Sequence, residues 1–214
     1  MSQAEQNDTD NNVDENVNSN FNDSFNSSFN NDDSLAVLDI SAADSIDDDI
    51  LESFYNRENL LKVMMATLDN IDERIKNGLT LPYYADIDTE VWQEKSKALD
   101  IYITDAVEGQ ELNLEARGKD YATNILSYPS ELPAAIIGLM PTLPLGELVI
   151  CHGVVVREAA EQNKTVHQHI SHLLIHGVLH LLGFDHELGQ AEQDEMESFE
   201  IDILAGLALP NPYL

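Results

Sequence analysis

The chain has 214 residues, with 40 Asp or Glu against 10 Lys or Arg and a net charge of −30, enough length for one ordinary domain carrying an appendage. So acidic a balance argues against the general basic surface that usually grips nucleic acid through its phosphates. One cysteine, Cys151, excludes an intramolecular disulfide framework. The first residues lack a signal-peptide pattern and no apolar stretch reaches spanning length, so a cytoplasmic location without a membrane partner is expected.

Residues 1–53 hold 14 Asp or Glu and no Lys or Arg, with many Asn and Ser. Such a segment cannot bury enough apolar surface to offset its ordering entropy, and Met1 to about Asp33 is expected to be disordered. Phe21, Phe25 and Phe29 recur every four residues there, the spacing of a helical interaction motif or of an inconsequential low-complexity repeat. From Leu35 to Leu51, apolar residues such as Leu38, Ile40 and Ile46 recur among acids, so this part is expected to dock on the domain or form a short transient element. The division is therefore an acidic, largely disordered extension over 1–53 and a folded domain over 54–214. The latter has 26 acidic and 10 basic residues, a net of −16, and is itself strongly acidic.

Within the domain, Ser53 to about Asn77 has helical periodicity, and Lys97 to Thr104 alternates as a strand. Glu108 to Arg117 reads as a short helix ending at Gly118. Strands follow at about Asn124–Tyr128 and Glu147–His152, joined by a loop from Pro129 to Pro144 whose four prolines disfavour regular structure. Cys151, at the end of the second of these strands, reads as a small core residue. A helix near Val156–Glu161 precedes a longer helix, and Ala191–Leu207 carries Met196, Phe199, Ile203, Leu204 and Leu207 at amphipathic helical intervals. The expected class is α+β, a small mixed sheet packed against helices.

The longer helix carries the chemistry and should lie at the centre of the domain. Thr165-Val166-His167-Gln168 has the form of a capping box, starting a helix that runs from about Val166 to Leu182. His176 and His180 are one turn apart on one face. Gly183 can take the left-handed conformation that ends a helix and turns the chain back, presenting His186 to the same point. Three neutral imidazoles with an open fourth position make a catalytic zinc arrangement, so one Zn2+ held by His176, His180 and His186 is expected. His169 and His172, on the same stripe, read as hydrogen-bonded core residues, or at most as supporting or substrate-facing groups.

The spacing is that of metzincin peptidases, which place a glutamate general base directly after the first histidine. Here that position is Gly177. Metal binding survives the substitution; the peptidase reading is weakened.

The whole motif, His176-Gly177-Val178-Leu179-His180-Leu181-Leu182-Gly183-Phe184-Asp185-His186, resembles the signature of the YbeY family of bacterial rRNA maturation factors, which are metal-dependent endoribonucleases. Upstream, Leu112-Asn113-Leu114-Glu115-Ala116-Arg117-Gly118-Lys119-Asp120, Thr123-Asn124-Ile125-Leu126-Ser127-Tyr128-Pro129 and Gly146-Glu147-Leu148-Val149-Ile150 resemble family blocks in family order. Ala116 and Glu147 depart from a usual tyrosine and aspartate. The resemblance covers roughly residues 54–214. It implies cleavage of single-stranded RNA in rRNA processing, notably at the 16S 3′ end, and a role in ribosome quality control. Its implied partners are ribosomal RNA and the ribosome or small subunit with associated proteins, and DNA is not expected. It also assigns Arg117 a catalytic role, which suits a planar fork able to hold two phosphoryl oxygens.

The reaction expected is metal-assisted phosphodiester cleavage, with Arg117 offsetting transition-state charge. Attack by water and attack by the ribose 2′-hydroxyl both remain open, and so do the general acid and base. Two other readings stand beside this one: a zinc peptidase of metzincin-like spacing, and a non-catalytic ribosome assembly factor stabilised by metal.

Overall fold

In the computed structural model, which describes residues 36–214, four strands form one mixed sheet in the order β1-β2-β4-β3. They are β1 (Ala36–Ala42), β2 (Lys97–Thr104), β3 (Ile125–Pro129) and β4 (Leu143–Cys151). The first two pairings are parallel and β3 runs antiparallel to β4. Parallel neighbours need a crossover between them. Helices α1 (Asp48–Phe54), α2 (Arg57–Lys76) and α3 (Thr89–Glu94) lie on the connection from β1 to β2, and α4 (Ala106–Arg117) follows β2. After β4 come α6 (His152–Glu161), α7 (Val166–Leu182) and α8 (Gln190–Gly206). The mixed α+β architecture is the expected one.

Alternation along β2 sets the two faces of the sheet. Leu99, Ile101 and Ile103 are buried in the core, while Asp100 is exposed and Tyr102 half-buried on the opposite face. The core shared by the sheet with α2, α7 and α8 includes Met64, Ile71, Leu174, Val178, Phe199 and Leu204. Helix α7 packs against β3, β4, α2, α6 and α8, which puts it at the centre of the domain.

The expected division at residue 53 is not where the fold begins. Residues 36–42 form an edge strand in register with β2, Leu38 opposite Leu99 and Ile40 opposite Ile101. Ala36 and Leu38 are each only 2% exposed, and Val37 between them points outward. A period of two therefore organises this stretch, but three alternating apolar positions among acids resemble the polar segment before them. The compact unit runs from Ser34 to Leu214. The disorder expected for Met1–Asp33 and the Phe21, Phe25, Phe29 repeat lie outside the described residues.

A second difference is the break between α1 and α2, where one helix from Ser53 was expected. Asn56 interrupts it: its side chain accepts hydrogen bonds from the backbone N–H of Glu58 and Asn59, capping a new helix. The proline-rich loop contains a short helix, α5 (Ala134–Ile137), and its last proline, Pro144, already belongs to β4. Among the described residues, no helix is long and apolar enough to cross a membrane.

Candidate metal centre

Helix α7 starts and stops as its sequence requires. Thr165 Oγ1 accepts from Gln168 N at 3.1 Å and Gln168 Oε1 accepts from Thr165 N at 2.9 Å, a reciprocal capping box. Gly183 ends the helix in the left-handed region at φ 97°, and a Cβ there would also lie 2.8 Å from Pro82 Cβ. Glycine is thus required both by the turn and by the crowding around it. Beyond the turn His186 returns to the helix face. The side-chain donor atoms of His176, His180 and His186 all lie within 4.8 Å of one another, a separation that three ligands of a single ion can share.

The ring nitrogens of two of these histidines meet at this point. His176 Nδ1 is 2.8 Å from Glu200 Oε1, while its Nε2 faces His180 Nε2 at 3.1 Å. Burial, reinforced by the charges of His176 and His186, pulls His180 down to about 4, so it is neutral across the physiological range. Imidazoles clustered around one open point suit a borderline-soft divalent ion. A cavity of about 270 Å³ opens beside them, lined by His172, His176, His186, Met196, Glu197 and Tyr213 among others.

Position 177, where a peptidase would carry its glutamate, faces away from this cavity. A Cβ on Gly177 would lie 2.7 Å from Leu148 Cδ2 and 2.9 Å from Ile125 Cδ1, so this residue lets α7 approach the sheet closely.

Arg117 is the last residue of α4, 43% exposed in its side chain, with Nη2 3.6 Å from Glu187 Oε1. Glu187 directly follows His186, so the fold brings Arg117 to the loop that carries the third histidine. Asp185 is occupied in that loop, its Oδ1 accepting from Glu187 N at 2.9 Å. His169 is a buried histidine paired with Glu158 at 2.9 Å, and His172 bonds Glu200 Oε2 through Nε2 at 2.9 Å.

Glu200 and Tyr213 were not found from the sequence. Glu200 is fully buried, and Tyr213 donates its hydroxyl to the same carboxylate. Burial pushes the Glu200 carboxyl up, but the hydrogen bonds and charges of His172 and His176 outweigh it and hold the group at about 2. The signal was available: Glu200 lies four residues after Met196 and three before Ile203, inside the apolar stripe of α8. A carboxylate on a core-facing stripe calls for buried partners.

The model of the family described as endoribonuclease YbeY matches residues 56–208. The chain belongs to the endoribonuclease YbeY family. Endoribonuclease YbeY of Psychrobacter arcticus is 75% identical over 213 residues, covering 100% of both chains. That of Psychrobacter cryohalolentis is 82% identical over 141 residues, 66% of this chain and 91% of the relative. That of Acinetobacter baumannii is 52% identical over 113 residues, 53% of this chain and 72% of the relative. YbeY proteins are endoribonucleases involved in rRNA processing, which supports RNA over peptide as the substrate class. The family is metal-dependent, in keeping with a histidine triad that can hold an ion.

Proposed function

We propose that this chain is a cytoplasmic, single-strand-specific endoribonuclease that uses one Zn2+ held by His176, His180 and His186. Its substrate is ribosomal RNA, notably at the 3′ end of the 16S species, and it serves ribosome quality control. The observation that carries this reading is the convergence of the three histidines on one point, in a family of endoribonucleases. When bound, the ion supplies Lewis-acid chemistry, polarising a phosphoryl oxygen or a water near the scissile bond.

The chain's own residues do the rest. His176 and His180 fix the place of reaction on a helix buried in the core, which keeps their geometry rigid, and the turn at Gly183 brings His186 to them. Arg117 stands at the adjoining loop, and its pair with Glu187 is long and half exposed, leaving the guanidinium little committed. Its role is to hold two phosphoryl oxygens and offset the charge that grows on phosphorus in the transition state. With a net charge of −30, the chain gains little from a general electrostatic grip on RNA. Affinity therefore comes from the positive metal and arginine at the site, and from protein partners on the ribosome or small subunit.

Parallel incubation of the zinc-loaded protein with unstructured single-stranded RNA, duplex RNA and unstructured peptide tests the proposal. Cleavage of the single-stranded RNA alone is expected. Cleavage of peptide without RNA would overturn it in favour of the peptidase reading.

A further inference from the structure

His172 and His176 lie one turn apart on α7, yet only His176 converges with His180 and His186; the geometry points to Glu200, completed by Tyr213, as the positioning residue that separates the two. The inference deepens the proposed function and rests on the reading that the three histidines hold the metal.

Glu200 is fully buried, and its two oxygens receive His176 Nδ1, His172 Nε2 and the Tyr213 hydroxyl. A carboxylate is the acceptor in such contacts, so each of those three groups donates to it. For His176 this places the proton on Nδ1 and leaves the Nε2 lone pair facing His180 Nε2, where a ligand atom is needed. For His172 it places the proton on Nε2 and spends that nitrogen on the carboxylate, and His172 Nδ1 is buried with no hydrogen-bond partner. One carboxylate thus turns one imidazole toward the metal point and holds its neighbour back as a strut.

Tyr213 reaches Glu200 from the segment after α8. That segment is held by Lys164 Nζ, which donates to the Pro212 carbonyl at 2.8 Å just ahead of the capping box of α7. The Tyr213 ring stands edge-on to His172, centroids 5.7 Å apart at 84°, and forms a wall of the cavity beside the histidines. The segment is therefore part of the site: it supplies the third contact of a carboxylate whose other two are the helix histidines.

The test combines two measurements on the full chain. Nitrogen-15 NMR of histidine-labelled, metal-free protein reads the tautomer of His176, and competition with a chromophoric chelator reads zinc affinity. Wild type is expected to show His176 protonated at Nδ1. Glu200→Gln is expected to lose that single tautomer and to bind zinc roughly ten- to a hundredfold more weakly, the usual effect of removing a carboxylate partner from a ligand histidine. Tyr213→Phe, which deletes one hydroxyl from a half-exposed residue and leaves the core intact, is expected to weaken zinc binding about two- to tenfold in the same direction. It keeps the inference open to refutation if the buried substitution prevents folding. A His176 protonated at Nε2 in the wild type, or zinc affinity unchanged in both variants, would overturn the positioning role alone. Failure of the wild type to take up zinc at all would instead overturn the ligand reading beneath it.

Discussion

Gly177 and Leu148 touch where α7 crosses the sheet: a Cβ at 177 would stand 2.7 Å from the Leu148 side chain, which is itself completely buried. The residue that separates this motif from a peptidase is therefore a packing residue on the face opposite the chemistry. Gly177→Glu, the substitution that would complete the peptidase pattern, must push a carboxylate into Leu148 and Ile125. Overpacking together with an unpaired buried carboxylate should cost about 3 kcal/mol or more. Chemical denaturation should show the loss, and no peptide cleavage should appear. A stable Gly177→Glu protein that cleaves peptide would refute this account of the position.

Acid should destabilise the metal-free protein in two overlapping windows. Folded His180 protonates only near 4, against an ordinary value of 6.5, so the unfolded chain takes the proton first as pH falls. Its contribution is complete above 6.5 and is lost on the way down to 4. Folded Glu200 stays ionised to about 2, against an ordinary 4.5, so its contribution is present above 4.5 and disappears toward 2. Thermal melts should fall through both ranges, the His180 window costing on the order of 1–3 kcal/mol. His180→Asn should flatten the upper window, and a melt unchanged from pH 7 to 4 in wild type would contradict the assignment.

Arg117 should matter for rate and not for stability. Its ion pair spans 3.6 Å with both side chains substantially exposed, a geometry worth at most a few tenths of a kcal/mol. Arg117→Ala should leave the melting temperature and the zinc content unchanged while lowering kcat for RNA roughly a hundredfold or more. Arg117→Lys should recover little, because a point charge cannot supply the bidentate fork. Wild-type turnover by either variant would remove Arg117 from the reaction.

The edge strand β1 sets where the folded domain begins. A chain starting at residue 54 would lose the parallel partner of β2 and the burial of Leu38, whereas one starting at Ser34 keeps both. Leu38→Ala alone should cost about 2–5 kcal/mol, as for other buried leucines. Circular dichroism and denaturation of the two truncated chains should separate them, the shorter being unfolded or markedly less stable. Equal stability would show that residues 34–53 are dispensable.

The parts of this molecule that could be read from sequence are those whose cause is local. The capping box at Thr165, the turn at Gly183 and the one-turn spacing of His176 and His180 each depend on a few adjacent residues, and each appears as expected. Strand β2 was legible to the residue because its alternation holds from Lys97 to Ile103. Non-local causes were hidden. Leu38 belongs to the core only because β2 lies beside it, Gly177 is small because Leu148 approaches from the sheet, and buried Glu200 has its partners in histidines 24 and 28 residues upstream that donate to its oxygens. Tyr213 joins the site from a separate segment, with no local pattern to announce it.

The central claim, that the histidine triad makes this chain a metal-dependent ribonuclease, is tested most directly by end-group analysis of one defined single-stranded RNA. It should be cut in parallel by zinc-loaded wild type, chelator-stripped wild type and His176→Ala. Internal cleavage by the loaded wild type is expected, with loss of at least a hundredfold in the stripped and substituted proteins and restoration of the stripped one by zinc. A terminal 2′,3′-cyclic phosphate would identify attack by the ribose hydroxyl, and its absence attack by water. Undiminished cleavage by His176→Ala, or none by the zinc-loaded wild type, would contradict the claim.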